Sequence, residues 1–136
     1  MKQNIISDQA FLAQPSQPVT LADKQHVTDL IDTLKANSDR AVGLAANMIG
    51  VQKQIIVFQL GIMSVPMLNP KIISKSGKYV TTEGCLSLPG ERETTRYSTI
   101  TVRYQDQNFK QHTQEFTDFT AQIIQHEVDH CNGIII

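Results

Sequence analysis

The chain contains no tryptophan and only two cysteines, and no run of apolar residues reaches the ~18 needed to cross a bilayer as a helix. It also carries no excess of either charge: 12 Lys+Arg against 13 Asp+Glu give a formal net charge of -1. These absences exclude several classes of protein. Bulk charge gives no electrostatic footprint for nucleic acid or an acidic membrane surface, so neither is expected as a partner. Two cysteines, Cys85 and Cys131, are too few for a disulfide-stapled scaffold. Each is read first as packing, ligand or nucleophile. There is no G-x-G-x-x-G and no P-loop pattern, so nothing points to a nucleotide fold. Met1 to Gln14 has one Lys and a broken apolar stretch. That is not the pattern of a secretory signal, and a cytoplasmic location is expected.

What is present fits one domain spanning residues 1–136. Residues 1–19, with Pro15 and Pro18, read as an irregular arm. From Thr20 to about Asn37 the pattern is helical, with Val27, Leu30, Ile31 and Leu34 on one face and Thr20 with Asp23 as an acidic capping box. Ala41 to Ala46 is too rich in glycine and alanine to assign, and Gly50 marks a turn. Gln54 to Leu60 reads as a strand buried on both faces, and Val65 to Ser74 as a second, held to edge or bulged pairing by Pro66 and Pro70. Gly77 is expected to turn the chain so that Lys78 to Thr82 pairs back, and Glu83 to Gly90 to form a loop. Ser98 to Gln105 alternates as a half-buried strand, followed by a turn at Asp106–Asn108 and a short strand over Gln111 to Phe116. A last helix is expected from about Asp118 to Asn132, capped by Gly133, with Ile134 to Ile136 adding a strand or packing down. The order helix, strands, helix favours an α+β fold: antiparallel β-sheets packed around a C-terminal metal-binding helix, with an N-terminal helix.

That last helix carries the chemistry. It reads Gln125-His126-Glu127-Val128-Asp129-His130, an H-E-x-x-H signature. Residues four apart share a helix face, so His126 and His130 can grip one metal ion while Glu127 reaches a water activated by it. On a helical wheel Phe119, Ile123, His126 and His130 fall on one stripe, and Gln122, Gln125 and Asp129 on the side read as polar. Two imidazoles on a core-facing stripe, with the Glu127 carboxylate on its shoulder, cost several kcal/mol unless satisfied. Ordinary core histidines with hydrogen-bond partners are the bland explanation; a metal satisfies all three groups at once. A catalytic metal of this kind usually takes a third protein ligand, which must lie upstream. Cys85, in Glu83-Gly84-Cys85-Leu86-Ser87, has the distinctive setting; His26 and His112 are alternatives in plain polar surroundings, and Cys131 points away from His130 and reads as packing. A thiolate with two imidazoles suits a soft or borderline ion such as Fe(II), Zn or Ni. Arg96 pairs with Glu83 or Asp129 and braces the Cys85 segment on one reading; on the other it is a solvated arginine at a strand start.

Three blocks, in this order and spacing, resemble the bacterial peptide deformylases: Ala41-Val42-Gly43-Leu44-Ala45-Ala46-Asn47-Met48-Ile49-Gly50, then Glu83-Gly84-Cys85-Leu86-Ser87, then Gln125 to His130. The resemblance runs from about Thr20 onward. It implies a hydrolase of protein biosynthesis and N-terminal methionine processing, which removes the formyl group from formyl-methionyl nascent peptides, at the ribosome or after release. It implies one divalent metal per chain, natively Fe(II), with Zn, Ni or Co as other ions the site takes, held by Cys85, His126 and His130. Glu127 would be the general acid/base and the backbone N–H of Leu86 a donor to the formyl oxygen. Val42, Gly43, Met48, Gly84 and Leu86 would contact substrate, with Glu83, Arg96 and Asp129 behind the ligands. The chain departs from the family pattern at Met48, where the family has a glutamine whose amide helps hold the developing oxyanion, and at Ala41, which replaces a glycine. A thioether donates no hydrogen bond, so reduced activity is expected, or a metal- and peptide-binding protein that has lost efficient catalysis. Asn47 and Gln52 are the nearby amides that could stand in.

Overall fold

The computed structural model describes residues 1–134. In chain order the elements are α1 (Gln9–Leu12), a 3-10 turn (Leu21–Asp23) leading into α2 (Lys24–Ala36), β1 (Gly43–Ala45), a second 3-10 turn (Ala46–Ile49), β2 (Ile55–Leu60), β3 (Met63–Cys85), β4 (Leu88–Gln105), β5 (Gln111–Thr117) and α3 (Asp118–Cys131). The strands form one antiparallel sheet in the order β1-β2-β3-β4-β5. The fold is α+β, with the C-terminal helix α3 packed on the sheet, as the pattern of elements suggests. No helix among the described residues is long and apolar enough to cross a membrane.

The N-terminal arm is less irregular than its prolines imply. Asp8 caps α1 through its side chain, and Leu12 is fully buried. Ser16 then donates its N–H to the Cys131 carbonyl at 2.8 Å, which ties the arm to the end of α3. Helix α2 follows its apolar spacing, burying Val27, Leu30 and Leu34. The Asp23 carboxylate accepts the Thr20 N–H at 2.9 Å, the acidic cap expected there. Asn37 closes the helix, its side-chain amide donating to the Thr33 carbonyl at 2.8 Å.

Strand β2 is apolar at every central position because α2 and α3 both pack on it; Ile55, Ile56, Val57 and Phe58 are all 0% exposed. In β3 the two prolines sit where a missing N–H is harmless. Pro66 pairs with Val57 before the ladder to β4 begins at Leu68, and Pro70 lies in the register shift between Leu68 and Lys71.

Two local expectations are overturned. Gly77 does not reverse the chain: Ser76 pairs with Thr99 and Lys78 with Tyr97, so β3 runs straight through and Lys78 to Thr82 pairs forward onto β4. The glycine adopts φ 76° in mid-strand, and a Cβ there would collide with the Ser98 side chain. It serves a close approach between strands rather than a turn. The segment Glu83 to Gly90 is not an open loop either. The ladder continues to Cys85 opposite Leu88, leaving only Leu86 and Ser87 as the turn of a long hairpin. Polar residues on both strands hide this pairing from a hydrophobic-periodicity reading.

The 106–108 turn is held by the Asp106 carboxylate, which accepts N–H groups of Asn108 and Lys110. Helix α3 ends at Cys131 with Asn132 and Gly133 (φ 73°) beyond it. Its supposed polar side is not solvated: Gln125 is buried and clamps β4, donating to the Tyr97 carbonyl and accepting the Tyr97 N–H, at 2.8 and 2.9 Å. Ile134 is irregular, and the remainder of the expected terminal strand, residues 135–136, lies outside the described residues.

Candidate metal centre

Helix α3 and the tip of the β3–β4 hairpin meet at one point. The helix presents His126 and His130 one turn apart, and the hairpin brings Cys85 against them. One ligand atom from each of Cys85, His126 and His130 lies within 4.8 Å of the others, and Cys85 Sγ is 3.3 Å from His130 Nε2. The other candidate ligands lie elsewhere. His112 bonds Asp106 at 2.8 Å and stacks on Tyr104, and His26 faces Asp23 at the start of α2. Cys131 is buried, and burial with the nearby Glu127 carboxylate pushes its thiol up to about 12, so it stays a protonated packing residue.

Behind the cluster is a buried charged network. His126 Nδ1 donates to Glu83 Oε1 at 2.8 Å, leaving its Nε2 for the cluster. Arg96 grips Glu83 with a two-pronged fork at 2.7 and 2.9 Å and reaches Asp129 with a third N–H at 2.7 Å. The two partners considered for Arg96 are thus both used, and Arg96 is 3% exposed. Burial opposes ionisation of Glu83, but hydrogen bonds from His126, Arg96 and Gln122 outweigh it and hold its carboxyl at about 2. Burial likewise opposes charge on His126, yet its contacts with Cys85 and Glu83 raise it to about 10. Burial, then the positive His126 and Arg96, lower His130 to about 4. The pocket therefore stabilises positive charge between Cys85, His126 and Glu83, charge that a divalent ion would carry in place of the imidazolium proton. One sulfur and two imidazole nitrogens, with a carboxylate orienting one ring, form a donor set suited to such an ion.

Glu127 sits beside the cluster, 4% exposed, and its Oε1 has no hydrogen-bond partner among the described residues. Burial is the main cause that pushes its carboxyl up to about 7, a value suited to accepting and returning a proton near neutrality. Strand β1 passes so close that a Cβ on Gly43 would lie 2.9 Å from Glu127 Oε2 and 2.8 Å from Ile123 Cγ2, so only glycine fits. Cys85, His126 and Glu127 face a cleft of about 240 Å³, and Val42, Gly43, Met48, Gly84 and Leu86 all line it. The sequence reading therefore collects one site from three separated segments.

Three details are new. Gln122, read as polar surface, donates to Glu83 Oε2 at 2.9 Å; its spacing four residues before His126 was the available signal. Met48 is 1% exposed, and its thioether sulfur accepts the Ala45 N–H at 3.4 Å. Neither amide considered as a substitute is free. Asn47 donates to the carbonyls of His130 and Leu12 at 3.0 and 3.4 Å, and Gln52 bonds Gln14 at the exposed surface.

An H-E-x-x-H helix joined to a cysteine at a hairpin tip, in an antiparallel α+β frame, defines a metallohydrolase. The family model described as polypeptide deformylase matches residues 2–136, and the chain belongs to that family, whose members are metal-dependent enzymes. A peptide deformylase of Clostridium beijerinckii is 56% identical over 132 residues, 97% of each chain. The crystal structure of the Thermotoga maritima peptide deformylase superposes with a TM-score of 0.90 at 30% identity, covering 99% of this chain and 95% of that one. A class I type b peptide deformylase from Acinetobacter baumannii with Met-Ala-Ser bound gives 0.89 at 25% identity, covering 99% and 96%.

Proposed function

We propose that this chain hydrolyses the N-formyl group of formyl-methionyl peptides, releasing formate and a peptide with a free methionine amine. The observation that carries this reading is the juxtaposition of Cys85, His126 and His130 with the unpaired Glu127 carboxylate in a substrate-sized cleft. Cys85, His126 and His130 hold one divalent ion, Fe(II) in the native protein, with Zn, Ni or Co as substitutes. When bound, that ion acidifies a water and polarises the formyl carbonyl. Glu127 takes a proton from the attacking water and delivers it to the departing amine. The Leu86 N–H, at the hairpin turn, donates to the formyl oxygen as it gains charge. Val42–Gly43 and Gly84–Leu86 form the two walls between which the peptide backbone lies, and Met48 closes the inner end. Glu83 orients His126, Arg96 holds Glu83 in place, and Asp129 anchors Arg96. The Met-Ala-Ser peptide bound to the Acinetobacter baumannii neighbour is the kind of product such a reaction leaves. Nascent chains from the ribosome are the natural substrates, which makes the cytoplasm the working compartment.

Met48 supports a second reading, a metal- and peptide-binding protein with little catalysis, because the oxyanion site is one donor short. Formate release from formyl-Met-Ala-Ser by anaerobically purified, iron-loaded protein separates the two. Measurable turnover that vanishes in Glu127→Gln supports the enzyme; peptide binding without turnover supports the alternative.

A further inference from the structure

The cleft over the metal centre does not end at the hairpin tip. A second, shallower hollow lies against it, bounded by Ser7 of the N-terminal arm and by Leu88 and Pro89 at the start of β4. The two hollows share Arg40, Gly84, Cys85 and Leu86, so they adjoin as two parts of one groove. Among the described residues Arg40 is the only lysine or arginine lining either part. It is exposed, yet one edge of its guanidinium is held: Nη2 donates to Asn37 Oδ1 at 2.6 Å, and the Asn37 amide is itself fixed on the Thr33 carbonyl at 2.8 Å. Among the described residues no carboxylate lies within ion-pairing distance of Arg40. The two glutamates that line the groove do not neutralise it: Glu83 is spent on Arg96 and His126, and Glu127 is buried beside the cluster. The groove thus carries one uncompensated, braced positive charge at the junction of its two parts.

We propose that Arg40 is a specificity residue, selecting formylated peptides with an acidic side chain one or two positions after the formyl-methionine. This rests on the deformylase reading: with the formyl group at the cluster, the following residues run past Arg40 into the second hollow. A guanidinium offers two parallel N–H groups to a carboxylate. At an exposed site such a pair supplies up to about fivefold in affinity, and it weakens with salt.

The test uses C-terminally amidated peptides, formyl-Met-X-Ala and formyl-Met-Ala-X, with X as Glu, Gln or Lys, and iron-loaded full-length protein. Turnover of the Gln peptides reports the activity itself, and the Glu:Gln ratio of kcat/KM reports Arg40. The expected ratio is about three to five in at least one position, carried by KM and shrinking as salt is raised. Arg40→Gln should bring it to about one, Arg40→Lys should keep part of it, and Arg40→Glu should turn the preference towards Lys. A wild-type ratio near one at both positions overturns the proposal. So does a ratio unchanged in an Arg40→Gln protein that unfolds at the wild-type temperature. If no peptide is hydrolysed the deformylase reading fails, and calorimetric Kd values for the same peptides and variants then decide the role of Arg40 by the same ratios.

Discussion

Replacing Met48 with glutamine should make this chain a faster enzyme. Met48 lines the cleft and is 1% exposed; its sulfur is occupied in accepting the Ala45 N–H at 3.4 Å. A thioether has no proton to give, so on the proposed reading the formyl oxygen would have only the Leu86 N–H and the bound ion as partners. Glutamine has nearly the length of methionine. Its carbonyl oxygen can accept the Ala45 N–H in place of the sulfur, which keeps that buried donor satisfied, and its NH₂ is then left to face the cleft. A missing oxyanion donor typically costs ~3–4 kcal/mol. Allowing for imperfect placement in a pocket shaped around sulfur, Met48→Gln should gain about 2–4 kcal/mol in transition-state stabilisation, roughly 30- to 1000-fold in kcat/KM. The gain should appear mainly in kcat, because the bond strengthens as charge develops on the oxygen. The assay is formate release from formyl-Met-Ala-Ser under anaerobic conditions, with metal content and thermal unfolding measured on the same samples. A folded, metal-loaded Met48→Gln protein with unchanged kcat refutes the reasoning. Asn47 cannot rescue the wild type, since its amide is committed to the His130 and Leu12 carbonyls.

Three further outcomes are expected. Cys85→Ala should lose most of the bound metal by elemental analysis, whereas Cys131→Ala should keep it; the reverse pattern would mean that the ligand set is misassigned. Glu127→Gln should retain stoichiometric metal while formate release falls by at least about 100-fold; parallel loss of both would make Glu127 a structural residue. Arg96→Met removes the fork from a buried carboxylate and should destabilise the protein by about 3–5 kcal/mol in urea unfolding and weaken metal binding about 10- to 100-fold through the loosened Glu83–His126 contact; a loss under 1 kcal/mol would show that Glu83 is held by its other partners.

The parts of the fold that were legible in sequence are those where burial imposes a period. Val27, Leu30 and Leu34 give α2 away because one helix face meets the core. The apolar run Ile55–Phe58 gives β2 away because helices pack on it. The hairpin of β3 and β4 was legible only in part. Its outer stretch pairs Thr81 with Thr94 and Glu83 with Arg92, polar residues on both sides, so no alternation of apolar and polar marks the strands. Gly77 then looks like a turn, because glycine without context signals conformational freedom; here it relieves crowding by Ser98. Helix α3 falls where it is expected, but its polar side misleads for a related reason. Gln122 and Gln125 look like solvent-facing residues, but the first is half-buried and donates to Glu83, and the second is buried and donates to Tyr97. Polarity marks surface only where no partner waits inside.

The site was legible to a different depth. The histidines announce themselves by spacing along one helix, and Cys85 by the company it keeps in its own block. What joins them is a residue with no motif of its own. Arg96 stands on β4, opposite Tyr79 in the ladder, and from there it reaches one carboxylate on the cysteine strand and one on the histidine helix. Glu83 lies two residues before Cys85, and Asp129 immediately before His130, so one buried guanidinium sets the distance between the two ligand-bearing segments. Helix and strand bring the candidate ligands together from opposite sides, and neither segment alone can hold the spacing. A bidentate arginine can, because its fork has fixed geometry and is always charged. The long β3–β4 ladder, the part of the fold least visible in sequence, is what delivers Arg96 to that position. The chemistry of the site is written in two short motifs; its geometry depends on a strand pairing those motifs do not encode.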